Sequence, residues 1–223
     1  MIPVMLDSGA RVVAPDLFGF GRSDKPVQDC TYTFHLHRTF LLRLVEHLAL
    51  RNITLVVGDW GRTLGLTLPV DPGLRSRLDR LLVMNTSLPV GEPLGPHFYQ
   101  WPSLVRSTPD LPVGQRIRAA APQLTDQEMA AYDAPYPDSR FQAGARTFPD
   151  LAMVEPEMEG TAEAQEALTF WAEEWAGQTS WLSEKKIRTW QRCTRCAARS
   201  GGVRNRWSSQ KPATSSKRAG ASR

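Results

Sequence analysis

The pentapeptide Val57-Gly58-Asp59-Trp60-Gly61 constrains this 223-residue chain more than any other segment. It follows the apolar run Ile53-Thr54-Leu55-Val56-Val57 and precedes Leu64-Gly65-Leu66-Thr67-Leu68. A buried strand must therefore break sharply into a helix around a carboxylate. Small residues on either side of such a turn let neighbouring backbone close in, and the turn holds its central side chain at the carboxyl end of a sheet strand. Asp59 is the first candidate for chemistry.

The flanking pattern extends this to a fold class. Residues 11–14 read as a short strand, 17–26 as a loop punctuated by glycine and proline, and 33–50 as a helix with Phe34, Leu41, Leu42, Leu44, Val45 and Leu48 at helical spacing. The strand 53–57 follows, then a helix over 63–70 stopped by Pro69 and the Asp71-Pro72-Gly73 turn, then a buried strand over 81–85. Strands alternating with helices predict an α/β fold, a parallel sheet with flanking helices. Such a sheet binds ligands at the carboxyl ends of its strands, where Asp59 and Asn85 fall. From 87 to about 160 the chain changes to proline-rich loops with short helical stretches such as 126–132, the pattern of an inserted helical cap. Helical periodicity returns over 161–175, with Gly177 as its stop. The expected division is a partial core over 1–86, the cap over 87–160, a return helix over 161–181 and a tail over 182–223.

The formal net charge of +4 conceals two unlike regions. Residues 1–181 carry 15 Lys/Arg against 22 Asp/Glu, whereas 182–223 carry 12 Lys/Arg against Glu184 alone. The tail has few large apolar residues and no period, so it is expected to be disordered, and its abrupt start reads as a shift of reading frame. A basic arm without a fold or interleaved aromatics binds any polyanion weakly, so no specific nucleic acid is expected as partner. Cys193 and Cys196 form one C-x-x-C, but the four histidines (His35, His37, His47, His97) all lie upstream and no cysteine follows. No metal and no cofactor is expected. Residues 1–7 lack the basic start and apolar length of a secretory signal, and no apolar run reaches about 18 residues. The expectation is a soluble, cytoplasmic monomer without a membrane span.

An aspartate at the elbow can attack carbon and form an ester. Here the sequence resembles the haloalkane dehalogenases of the α/β-hydrolase superfamily, a detoxifying hydrolase family. The likeness is carried by Ala14-Pro15-Asp16-Leu17-Phe18-Gly19-Phe20-Gly21-Arg22-Ser23-Asp24-Lys25-Pro26, by Leu50-Arg51-Asn52 ahead of the strand, by the elbow, and by Phe170-Trp171 through Trp175-Ala176-Gly177-Gln178-Thr179. It runs over residues 1–180. The resemblance implies that Asp59 is the nucleophile and that Trp60 and, from the cap, Trp101 bind the departing halide. An indole is a donor with no acceptor, so in an apolar wall it suits an anion. The implied partners are a halogenated alkane and water.

Two departures matter. Gly58 stands where the family usually carries glutamine, and Arg62 replaces a small residue, where it is expected to crowd the start of the helix. The resemblance also implies an H-G-x-P loop upstream of the first residue, and an acid and a histidine near the C-terminus, yet no histidine follows His97. The fold is therefore read as incomplete at both ends, and the chain as inactive or limited to one turnover. The alternatives are an epoxide hydrolase, using Tyr99, Tyr132 or Tyr136 to protonate the oxygen, or a non-catalytic fragment.

Overall fold

The computed structural model describes residues 2–182. In chain order its elements are α1 (Ile2–Leu6), α2 (Phe34–His47), β1 (Ile53–Gly58), α3 (Gly61–Gly65), α4 (Pro72–Arg75), β2 (Leu78–Met84), α5 (Pro96–Arg106), α6 (Val113–Ala120), α7 (Asp126–Asp133), α8 (Ala143–Thr147), α9 (Thr161–Thr169) and β3 (Gln178–Leu182). The chain divides into two compact units, Met1–Ala49 with Pro89–Ala164, and Leu50–Leu88 with Gln165–Arg223.

The second unit carries the sheet, in the order β1-β2-β3 with both pairings parallel. Val57 faces Val83 and Gly58 faces Met84 in the first ladder; Val83 faces Trp181 in the second. The parallel sheet with helices follows the sequence pattern. Val57, Leu81 and Val83 are buried, as are Leu64, Leu66 and Trp171. Burial of each such side chain contributes on the order of 1.5–3 kcal/mol. Trp171 also satisfies its indole, donating Nε1–H to the carbonyl of Leu66 at 2.8 Å. The helix behind the elbow is shorter than predicted. After Gly65 the chain tightens into a 3-10 turn at Leu68–Val70, and the Asp71 carboxylate caps α4 by accepting from Leu74 N at 3.1 Å.

Helix α9 does not run on to 181. It widens into a π-helical turn over Phe170–Glu174, and Gln178–Leu182 leaves as a strand against β2. The alternation of half-buried Thr179 and Trp181 with exposed Gln178 and Ser180 is short enough to be missed, and the β2 backbone supplies the ladder that makes it a strand. The disordered tail expected over 182–223 lies outside the described residues, except that Leu182 ends β3.

The first unit packs helices and turns around Tyr32, Phe34, Val105, Leu111, Leu151 and Met153. Thr33 caps α2, its hydroxyl accepting from Leu36 N at 3.1 Å. Gly19 (φ +86°) lies where a Cβ would come within 2.6 Å of the Tyr32 ring, so this loop closes only with glycine. The loop then braces itself: Asp16 Oδ2 accepts from Arg22 N at 2.9 Å, and Lys25 Nζ donates to Gly21 O at 2.7 Å. Residues 11–14, expected as a strand, are irregular here. A β-branched run becomes a strand only beside backbone it can pair with, and no strand of the described sheet pairs with it. Deeper in, Gln142 pairs both amide groups with the Leu111 backbone, at 2.8 and 3.0 Å, and a capping box between Thr125 and Glu128 opens α7.

Candidate active site

The end of β1 builds the site. Gly58 closes the strand, Asp59 swings to φ +47°, and Trp60 at φ −63°, ψ −24° already has helical backbone as the cap of α3. A carboxylate residue in the left-handed region between strand and helix is strained backbone held by its surroundings. It leaves Asp59 exposed, with Trp60 half-buried beside it.

The small residues around this turn have unequal jobs. A Cβ on Gly61 would meet nothing within 4 Å, and one on Gly58 would sit 3.2 Å from the movable Met84 Cε. A Cβ on Gly65 would lie 2.5 Å from Val57 Cγ1. The close approach of helix to strand is therefore at Gly65, one turn beyond the pentapeptide.

Arg62 does not crowd the helix start. Its guanidinium turns onto the chain leaving β2, where Nη1 donates to Thr86 Oγ1 at 2.8 Å, and Thr86 Oγ1 donates to the Asp59 carbonyl at 3.3 Å. The same carbonyl accepts from Arg62 N at 3.2 Å. Burial lowers the Arg62 pKa, and the charge of Asp59 opposes that shift. Sequence reasoning missed Thr86; its only signal was a threonine just past the end of a buried strand.

Asn85 also sits at the carboxyl edge, exposed and left-handed (φ 46°), its N–H donating to Leu182 O at 2.8 Å. Trp101 belongs to the other unit, on α5, where it is exposed while the following Pro102 is buried.

His35 and His37 are engaged within the first unit. Both ring nitrogens of His35 sit 2.7 Å from carboxylates, Nδ1 from Glu159 and Nε2 from Glu163. His37 is buried against Tyr32 and Phe148, and burial pushes its pKa down to about 4. His47 lies exposed in the last turn of α2. Of the tyrosines, Tyr99 accepts from Leu94 N at 3.3 Å through its hydroxyl, Tyr132 is exposed, and burial pushes Tyr136 up to about 12. A phenol so weakened as an acid is poorly suited to protonating an epoxide. Among the described residues no group of three or more His, Cys, Asp or Glu side chains could hold a metal, and no helix is long and apolar enough to cross a membrane. Cys193 and Cys196 lie outside the described residues.

The α/β hydrolase fold family matches residues 1–207. A haloalkane dehalogenase of Mycolicibacterium paratuberculosis is 39% identical over 176 residues, covering 77% of this chain and 58% of its own. Haloalkane dehalogenase 1 of Mycobacterium tuberculosis is 40% identical with the same coverage, 77% and 58%. The chain thus spans 58% of the length of both curated relatives. The haloalkane dehalogenase of Paraglaciecola agarilytica, solved as a tetramer, superposes with a TM-score of 0.77 at 39% identity, over 86% of this chain and 67% of that one. A haloalkane dehalogenase of Agrobacterium tumefaciens, 18% identical with a TM-score of 0.58 over 79% of this chain and 76% of its own, shares the fold.

Proposed function

We propose that in this chain, which belongs to the α/β hydrolase fold family, Asp59 is the nucleophile of a carbon–halogen bond cleavage on haloalkanes. An Asp59 carboxylate oxygen attacks the sp³ carbon from behind; the carbon–oxygen bond forms as the carbon–halogen bond breaks, and the electron pair leaves on the halide. The product is an alkyl ester of Asp59 and a free halide. Trp60 and Trp101 are the halide donors of this reading, their indole N–H groups stabilising charge as it builds on the leaving atom. Water attacking the ester carbonyl would then release the alcohol and restore the carboxylate. No histidine lies among the described residues of the unit that carries Asp59, so an ester formed there is expected to persist long enough to be read as added mass. The protein is read as a cytoplasmic monomer, an assembly state that light scattering measures directly.

The observation that carries the reading is a carboxylate on left-handed backbone between β1 and α3, followed at once by a tryptophan. The likeness to haloalkane dehalogenases supports the choice of a halogenated substrate over an epoxide. The test is incubation with 1-bromobutane and intact-mass measurement. A single butyl adduct that is absent from Asp59→Asn supports the proposal; folded protein that gains no mass overturns it.

A further inference from the structure

Asp59, Arg62 and Thr86 form a closed hydrogen-bonded ring. The Asp59 carbonyl accepts from the Arg62 backbone at 3.2 Å and from the Thr86 hydroxyl at 3.3 Å, while that hydroxyl accepts from Arg62 Nη1 at 2.8 Å. The hydroxyl is saturated in a definite sense: it must donate to the carbonyl, because the guanidinium can only donate to it. One side chain thereby ties the first turn of α3 to the segment that follows β2, and the knot lies on the carbonyl of the residue whose φ is +47°. Arg62 makes no carboxylate ion pair in the second unit among the described residues, and its Nε is buried without a hydrogen-bond partner. An arginine held at this cost to its solvation is placed for the bond it makes to Thr86.

We infer that Arg62 and Thr86 act together as positioning residues, a clamp that holds the Asp59 backbone in its left-handed turn and so aims the carboxylate. This rests on Asp59 being the nucleophile. The clamp touches neither alkyl group nor halide, so it should set the rate at which bound haloalkane is captured and leave haloalkane binding alone. Because the two residues complete one ring, losing either opens it, and losing both should cost no more than losing one.

The experiment measures the rate of butyl adduct formation against 1-bromobutane concentration in the full chain. Thr86→Val, which keeps the shape and removes the hydroxyl, is expected to slow the saturating rate about tenfold with the half-saturating concentration unchanged; a misaimed nucleophile can cost ~100-fold. Thr86→Ser restores the rate. Arg62→Met matches Thr86→Val, and the double variant is no slower than either. Wild-type rates in Thr86→Val, or multiplying effects in the double variant, overturn the clamp. If the wild-type chain forms no adduct, the nucleophile reading has failed, and amide hydrogen exchange still judges the clamp. The Arg62 amide should exchange at least about tenfold faster in Thr86→Val than in Thr86→Ser, since its acceptor loosens when the ring opens. Equal exchange rates in the two variants overturn the inference without reference to any reaction.

Discussion

Asp59 and Asn85 each follow one member of the register pair Gly58 and Met84, and both take left-handed backbone, with φ of 47° and 46°. Two parallel strands thus end level, and each ends in a polar, non-glycine residue that the surrounding chain holds in a conformation costing on the order of 1 kcal/mol. Strain concentrated at the carboxyl edge of a parallel sheet is what a site at that edge would show. The Arg62 and Thr86 side chains are the visible restraint on the Asp59 half of the pair.

Asp59→Gly should separate stability from chemistry. Glycine adopts positive φ without steric penalty, so the variant is expected to gain up to about 1 kcal/mol in chemical denaturation while losing all adduct formation with 1-bromobutane. A variant that is less stable than the wild type would mean that the Asp59 side chain holds the turn together.

Gly65→Ala is expected to destabilise the chain by about 1–3 kcal/mol, since the new methyl would lie 2.5 Å from Val57 Cγ1 and either helix or strand must shift. Gly61→Ala is the control, with open space at its Cβ, and should be neutral or stabilising by up to about 1 kcal/mol. Paired urea melts decide it, and equal midpoints for the two variants would remove Gly65 from its role in helix–strand contact.

Trp60→Phe keeps an aromatic body beside Asp59 and removes the indole donor. Adduct formation should slow by on the order of 100-fold, the scale of losing one donor to developing negative charge. Trp101→Phe is expected to move in the same direction. The halide series sharpens the test: a donor to the leaving group should make the loss depend on whether chloride, bromide or iodide departs, whereas simple packing would give one uniform loss.

His37 gives stability a pH dependence of definite sign. Its ring is buried with neither nitrogen hydrogen-bonded, and its pKa is pushed down to about 4 by burial, against about 6.5 in an unfolded chain. Above about pH 6.5 both states are neutral and the group costs nothing. As pH falls toward 4 the unfolded chain takes up a proton that the folded ring refuses, so stability drops by on the order of 1.4 kcal/mol per pH unit. Denaturant melts at pH 7.5, 6.5 and 5.5 should show this fall in the wild type and a shallower one in His37→Phe. Parallel curves would show that His37 is not the group responsible.

Much of the site was legible because it is local. A β-branched run, a carboxylate between glycines and an apolar run of helical spacing specify strand, turn and helix within a dozen residues, and β1, Asp59 and α3 follow that order. The same holds for α2 with its Thr33 cap and for α7 with its capping box, where the side chains that satisfy the helix start are neighbours in sequence. Arg62 was legible as an anomaly and misread as an obstruction, because its partner lies 24 residues away and no local pattern announces a hydrogen bond across two strands.

Sequence alone determined that this chain makes an α/β fold and that an aspartate stands at the turn between β1 and α3, since both rest on periodicity and on residue type at one turn. Tertiary structure decided which glycine is indispensable, which β-branched run finds a partner, and where the return helix stops. Gly65 rather than Gly61 meets Val57, 11–14 pairs with no described strand while 178–182 pairs with β2, and Trp171 reaches across 105 residues to the Leu66 carbonyl. Each of these depends on atoms brought together by packing, whose contacts reward a conformation only after distant chain has arrived, and so no window of sequence contains them.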